Sequence, residues 1–220
     1  MTPRRVSPLV ALAFGLGVAA AIMLTGPLLL FAPPFVSVMQ ARHDVARRLG
    51  SDRAAVDRAT AAMLADVLVG GDFTVSLDGG EPVLDASERS HMRDVSGVVR
   101  GLLLADLAAL LVVGLAGWRL RSEPARRGRL MLMAAGGIGA AALVLGAFFA
   151  FAFDAAFTAF HAIFFAAGTW QFGPDSNLLR FFPEPFWSEV ALVAGATIVL
   201  SALGVALVAW RQPGRRAASA

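Results

Sequence analysis

Cysteine is absent from this sequence, which removes thiol nucleophiles, thiolate metal sites and disulfides together. Lysine is absent too, so every basic side chain is an arginine, and the high isoelectric point reflects that bias as much as any polyanionic partner. Charge is sparse: only 16% of the 220 residues are Asp, Glu or Arg, against 57% hydrophobic. With a mean hydropathy of +0.68, this composition lies outside the soluble globular range and describes a membrane protein.

Four apolar runs have about the 20 residues that a bilayer crossing needs. They define an all-α membrane protein, a four-transmembrane-helix bundle with a small extracytoplasmic cap made of helices and a candidate short hairpin. The chain reads as one integral membrane domain over residues 1–220. Spans are expected at 8–34, 98–119, 129–153 and 188–210, a cap at 35–97, and an aromatic segment at 154–187.

Arginines fix the expected orientation. Arg4 and Arg5 precede the first span, Arg119, Arg121, Arg126, Arg127 and Arg129 fill the link between the second and third, and Arg211, Arg215 and Arg216 follow the fourth. Such an excess marks the cytoplasmic face, so both termini are expected there and the cap and aromatic segment outside. The basic start followed by a long apolar run resembles a secretory leader, but no small-residue cleavage site follows it, and it reads as a retained anchor.

Local signals organise the cap. Pro33 and Pro34 are expected to end the first helix, with Pro27 kinking it. An amphipathic helical pattern runs from Met39 to Gly70, with Gly50 as a stop and Ser51 as an N-cap; Val56, Ala59, Met63 and Val67 trace its second apolar stripe. Phe73 to Leu77 and Pro82 to Leu84 flank Asp78-Gly79-Gly80, a hairpin pattern. Further on, Asp175 is placed to cap a short helix, and Gly136, Gly137, Gly139 and Gly146 favour close packing of the third span.

Chemistry concentrates at two histidines. His161 lies in a stretch where Phe157, Phe160, Phe164 and Phe165 fall at helical offsets around it, so an imidazole is wrapped in phenyl rings. His91 stands about one turn into a helix capped by Asp85 or Ser87, with Asp94 three residues on and sharing its face. His43, between Arg42 and Asp44, reads as part of a solvated face. Asp106 falls about 12 Å into the hydrocarbon at 1.5 Å per residue. It reads equally as a functional intramembrane acid or as a carboxyl paired inside the bundle.

The blocks H-M-R-D-V at His91 to Val95, F-H-A-I-F-F-A-A-G-T-W-Q-F at Phe160 to Phe172 and L-L-R-F-F-P-E-P-F-W at Leu178 to Trp187 resemble the bacterial lipoprotein intramolecular transacylases. The resemblance implies that the sn-2 acyl chain of a diacylglyceryl lipoprotein moves to the amine of that lipoprotein's own N-terminal cysteine. It also implies that His91 and His161 carry the reaction as paired acid and base. Asp94, Phe160, Phe164, Trp170, Phe172, Arg180, Phe182, Pro183, Phe186 and Trp187 are the candidate substrate-binding residues. Diacylglyceryl lipoproteins and membrane lipids are the expected partners, with no nucleic acid, no cofactor and no metal. Arg180 reads equally as a headgroup anchor, and the sequence leaves open which histidine is base and which acid. Two other classes use the same residues: a bis-histidine haem protein, and a non-catalytic lipoprotein-binding or assembly factor.

Overall fold

The computed structural model describes residues 6–77 and 79–212. Arg4, Arg5, Arg215 and Arg216, and the Asp78 of the expected hairpin turn, lie outside the described residues. Among those described there are nine α-helices and no strand. In chain order they are α1 (Pro8–Leu29), α2 (Pro33–Arg42), α3 (Val45–Leu49), α4 (Arg53–Val69), α5 (Ala86–Arg119), α6 (Pro124–Phe151), α7 (Phe153–Phe164), α8 (Asn177–Phe181) and α9 (Glu184–Trp210). Helices α1, α6 and α9, and α5 with its short continuation, are long and apolar enough to cross a membrane.

The chain forms two compact units, and each long helix contributes a stretch to both. The first unit draws on residues up to Pro27, on Leu103–Gly146, and on those from Ala194 onward. Phe14, Val18 and Ile22 of α1 meet Ala116 and Leu120 near the end of α5, Ala135 of α6 and Ala202 of α9. Most other apolar side chains on these helices face outward, the pattern expected where lipid rather than water is the solvent. Asp106 pairs inside this unit: the Thr25 hydroxyl donates to its Oδ1 at 2.9 Å, and the carboxyl is buried. Of the four glycines noted in the third span, only Gly139 makes a close approach, 3.3 Å from its would-be Cβ to that of Ala202.

The tighter contact is in α1. A Cβ at Gly26 would lie 2.6 Å from Thr197 Oγ1 and 2.7 Å from Thr197 Cβ, and no side-chain rotation moves a Cβ away. Gly26→Ala is therefore expected to destabilise the protein by about 1 to 3 kcal/mol through overpacking, read as a lowered thermal midpoint in detergent. An unchanged midpoint would mean that α1 and α9 separate freely at this level.

The second unit comprises Leu28–Leu102 and Ala147–Val193. Pro33 and Pro34 do not terminate α1, which already ends at Leu29. They occupy the first turn of α2, where a missing N–H costs nothing. The pattern from Met39 to Gly50 breaks into two helices at His43 and Asp44, the latter left-handed at φ 54°. The cap of α4 is Asp52 rather than Ser51, because the Asp52 carboxylate is the one that reaches the Ala55 N–H, at 2.9 Å. Val56, Ala59, Met63 and Val67 are all buried, as their spacing predicts. Gln40, also buried, links three helices: its Oε1 accepts from Thr60 at 3.0 Å and its Nε2 donates to the Phe181 carbonyl at 3.1 Å.

The expected hairpin does not form. Val83 N donates to Val75 O at 2.9 Å, but the flanking residues are not strand among those described. Phe73 leaves the extended region, at φ 58°, and its ring and the Leu84 side chain are fully buried. The two arms thus act as plugs for a helical core rather than as a ladder.

Candidate active site

Helix α5 has 34 residues, about 51 Å at 1.5 Å per residue, well beyond the roughly 30 Å of hydrocarbon in a bilayer. Its first stretch carries Glu88, Arg89, His91, Arg93 and Asp94, so this polar stretch precedes the membrane-spanning part. A reciprocal capping box starts the helix. Asp85 Oδ1 accepts from Ser87 N and Glu88 N, and Glu88 Oε2 accepts from Asp85 N at 2.8 Å. This turn sets the direction in which His91, three residues after Glu88, leaves the helix.

The second histidine is carried by α7, a short helix that starts just after α6 ends. His161 Nδ1 lies 2.8 Å from the Phe157 carbonyl, one turn back. A carbonyl only accepts, so Nδ1 carries the proton and Nε2 keeps its lone pair.

The two imidazoles meet. Their centroids are 6.1 Å apart with planes inclined by 25°, and both side chains are buried, at 6% and 9% exposure. Aromatic rings enclose them. Phe157, Trp170, Phe165 and Phe160 lie 4.0, 4.7, 5.4 and 5.5 Å from His161, and Phe165 and Phe172 lie 4.9 and 5.6 Å from His91. Phe164 packs on Phe160 at 4.9 Å, one ring removed.

Burial acts on both basicities. It pushes His91 down to about 4, with help from the neighbouring His161 and against the opposing pull of Asp94. Burial also lowers His161, while the hydrogen bond to the Phe157 carbonyl works the other way. Both rings are therefore neutral near pH 7. His91 Nδ1 is buried without a hydrogen-bond partner among the described residues, a condition that costs about 1 to 3 kcal/mol.

Other candidates fall elsewhere. Asp94 is exposed and makes no hydrogen bond to His91 among the described residues, though three residues of helix place it on the same side of α5 and its charge acts on that ring. Arg180 donates to Asn177 Oδ1 at 3.2 Å and lies 3.9 Å from Asp175. Phe182, Phe186 and Trp187 form a cluster of their own, at 5.2 to 5.8 Å, with Pro183 buried beside it and His43 edge-on to Phe186 at 6.5 Å. His43 also reaches Glu189, at 3.1 Å, so it packs rather than facing solvent as its charged neighbours suggest. The short helix before that cluster is capped by Ser176, not Asp175, since the Ser176 hydroxyl accepts from Leu179 N. Glu88 is the most buried acid among the described residues, at 2% exposure.

No curated relative matches the sequence. The membrane integral lipoprotein intramolecular transacylase Lit from Bacillus cereus, solved in meso, is similar in structure at 16% identity, with a TM-score of 0.73 over 92% of this chain and 91% of that one. A variant of that protein with one histidine changed to arginine gives 0.77 at 14% identity, over 96% and 94% of the two chains. Another with a histidine changed to alanine gives 0.73 at the same identity and coverage. These likenesses show a shared four-span helical fold. The family model described as lipoprotein intramolecular transacylase Lit matches residues 18–187, a range that includes both pocket histidines and most of the chain, and the protein therefore belongs to the Lit family of integral membrane acyltransferases.

Proposed function

We propose that this enzyme moves the sn-2 acyl chain of a diacylglyceryl lipoprotein to the amine of the lipoprotein's N-terminal cysteine, with His161 as base and His91 as oxyanion donor. The observation that carries the assignment is the bond from His161 Nδ1 to the Phe157 carbonyl, which leaves Nε2 as the free lone pair in the shared pocket. Family membership selects an acyltransferase over the haem and non-catalytic alternatives.

An α-amine in water has a pKa of about 7.7 to 8.0, so the substrate nitrogen first loses one proton to become nucleophilic. It then attacks the sn-2 ester carbonyl. The second N–H proton passes to His161 Nε2 and from there to the departing glycerol oxygen, while His91, kept neutral by burial, donates an N–H to the oxyanion. An amide forms, the ester C–O bond breaks, and a glycerol hydroxyl is left. Because both reacting groups belong to one molecule, no acyl-enzyme is needed. The rings of Phe157, Phe160, Phe165, Trp170 and Phe172 hold the substrate folded, and such proximity is worth roughly 7 to 11 kcal/mol when the geometry is right.

In this reading both termini are cytoplasmic and the pocket faces the extracytoplasmic side, which follows from the arginines flanking the spans. Asp94, exposed on the His91 side of α5, and Arg180, on α8, contact the substrate's headgroup or peptide in this reading. Mass spectrometry of lipoprotein N-terminal peptides, from cells with and without this protein, tests the proposal. One acyl chain should shift from glycerol to nitrogen only when the protein is present, and unchanged acyl positions would refute the assignment.

A further inference from the structure

Glu88 moves no proton in the transfer proposed above, yet it is only 2% exposed. A buried carboxylate is costly unless its oxygens are hydrogen-bonded, and here each of them is. Oε1 accepts from the Ser176 hydroxyl and from Leu178 N at 2.9 Å, and Oε2 accepts from Asp85 N. Ser176 Oγ in turn caps α8 through Leu179 N at 3.2 Å, and Asn177 Nδ2 adds a bond to Val83 O at 2.7 Å.

What these bonds hold is the segment joining α7 to α8, residues 165–176, which carries Phe165, Trp170 and Phe172. Its own hydrogen bonds are local. Thr169 N and Oγ1 donate to the Ala166 carbonyl, Ser176 N donates to that of Gly173, and Gly168 turns the chain at φ +84°. Among the described residues, its hydrogen-bonded attachment to α5 runs through Glu88. Phe172, four residues before that attachment, contacts the His91 ring, and His91 is one helical turn beyond Glu88.

We infer that Glu88 is a positioning residue: by gripping Ser176 and the start of α8 it holds the aromatic segment against His91 and His161, and so keeps the pocket closed during acyl transfer. The effect on rate rests on the transacylase reading, whereas the effect on the segment's position does not.

The chain's three histidines provide the probe, because diethyl pyrocarbonate modifies accessible neutral imidazoles and peptide mass spectrometry locates each adduct. In full-length protein at pH 7.5, Glu88→Ala is expected to raise the modification rates of His91 and His161 severalfold. His43, held by Glu189 and Phe186, should be unchanged. The same variant is expected to lower kcat by about tenfold or more, with a smaller change in KM, because a displaced wall misplaces the reacting groups. Glu88→Gln keeps an oxygen for Ser176 and Leu178 and should stay near wild type in both readouts. Should Glu88→Ala fail to fold, Ser176→Ala breaks the same attachment from its other side and should open the pocket likewise. Folded variants that leave both histidines as protected as in wild type overturn the inference, as does a Gln variant as open as the Ala variant or an opened pocket with unchanged kcat. Failure of the transacylase reading has a different signature, since wild-type protein would then transfer no acyl chain while the modification rates stayed readable.

Discussion

His161→Ala in folded, purified protein is expected to lower acyl transfer by about 10² to 10⁴, the usual worth of a positioned acid or base, or roughly 3 to 5 kcal/mol of activation free energy. His91→Ala should cost a similar factor through loss of the oxyanion donor, and the double variant little more than the worse single one, because the two act on one transition state. Glutamine separates their roles. At residue 91 its amide N–H can still donate to an oxyanion, so His91→Gln should recover part of the lost rate. At residue 161 an amide is no base, and His161→Gln should be as poor as alanine. Since Nδ1 of His161 is tied to the Phe157 carbonyl, the free nitrogen cannot be exchanged for the other by a ring flip without losing that bond. The reverse pattern, with rescue at residue 161 and none at residue 91, would exchange the two assignments. Full activity in both glutamine variants would remove histidine chemistry altogether.

How much of this was legible in the sequence depended on the distance over which each signal acts. The long helices were legible because the bilayer imposes a length of uncharged apolar sequence, and Pro8–Leu29, Pro124–Phe151 and Glu184–Trp210 supply it. The ring cage around His161 was legible because its rings are near in the chain: Phe157 stands one helical turn before it, Phe160 is its direct neighbour, and Phe165 follows at the end of α7. The shorter caps were missed by one residue. Ser51 and Asp52, like Asp175 and Ser176, are adjacent residues of equal capping chemistry, and only backbone direction decides which side chain reaches the waiting N–H.

Longer-range pairing was not legible. Nothing local separates Phe172, which meets His91, from Phe182, which packs with Phe186 and Trp187 instead; the turn through α8 makes that division. Glu88 was hidden for the same reason, because its partners Ser176 and Leu178 lie 88 and 90 residues away, beyond two long helices. Asp94 shows the converse case. Its spacing from His91 satisfies the helical rule and its charge acts on that imidazole, yet its side chain is exposed and makes no hydrogen bond to the ring among the described residues.

Acid should weaken this protein through His91 in particular. Its folded-state value of about 4 lies below the ordinary 6.5, so between those limits the unfolded chain binds a proton that the folded one excludes. Stability is then complete above pH 6.5 and falls as pH drops toward 4, by roughly 3 kcal/mol in total at 1.36 kcal/mol per pKa unit. His161, also lowered by burial, adds to the loss in the same direction. Carboxylates titrate at the lower end of this window, so the informative quantity is a difference between proteins. His91→Gln fills a similar volume and carries no titrating ring, and its thermal midpoint in detergent should fall less than that of wild type between pH 7.5 and 4.5. Two proteins losing stability in parallel would show that the imidazole at residue 91 is no harder to protonate in the fold than in water. The same burial that sets this acid sensitivity keeps His91 neutral at pH 7, so its N–H can stabilise an oxyanion without surrendering its proton. Stability in acid and the proposed chemistry thus depend on one desolvated ring, and a variant that opens the pocket, such as Glu88→Ala, should weaken both the acid dependence and the rate.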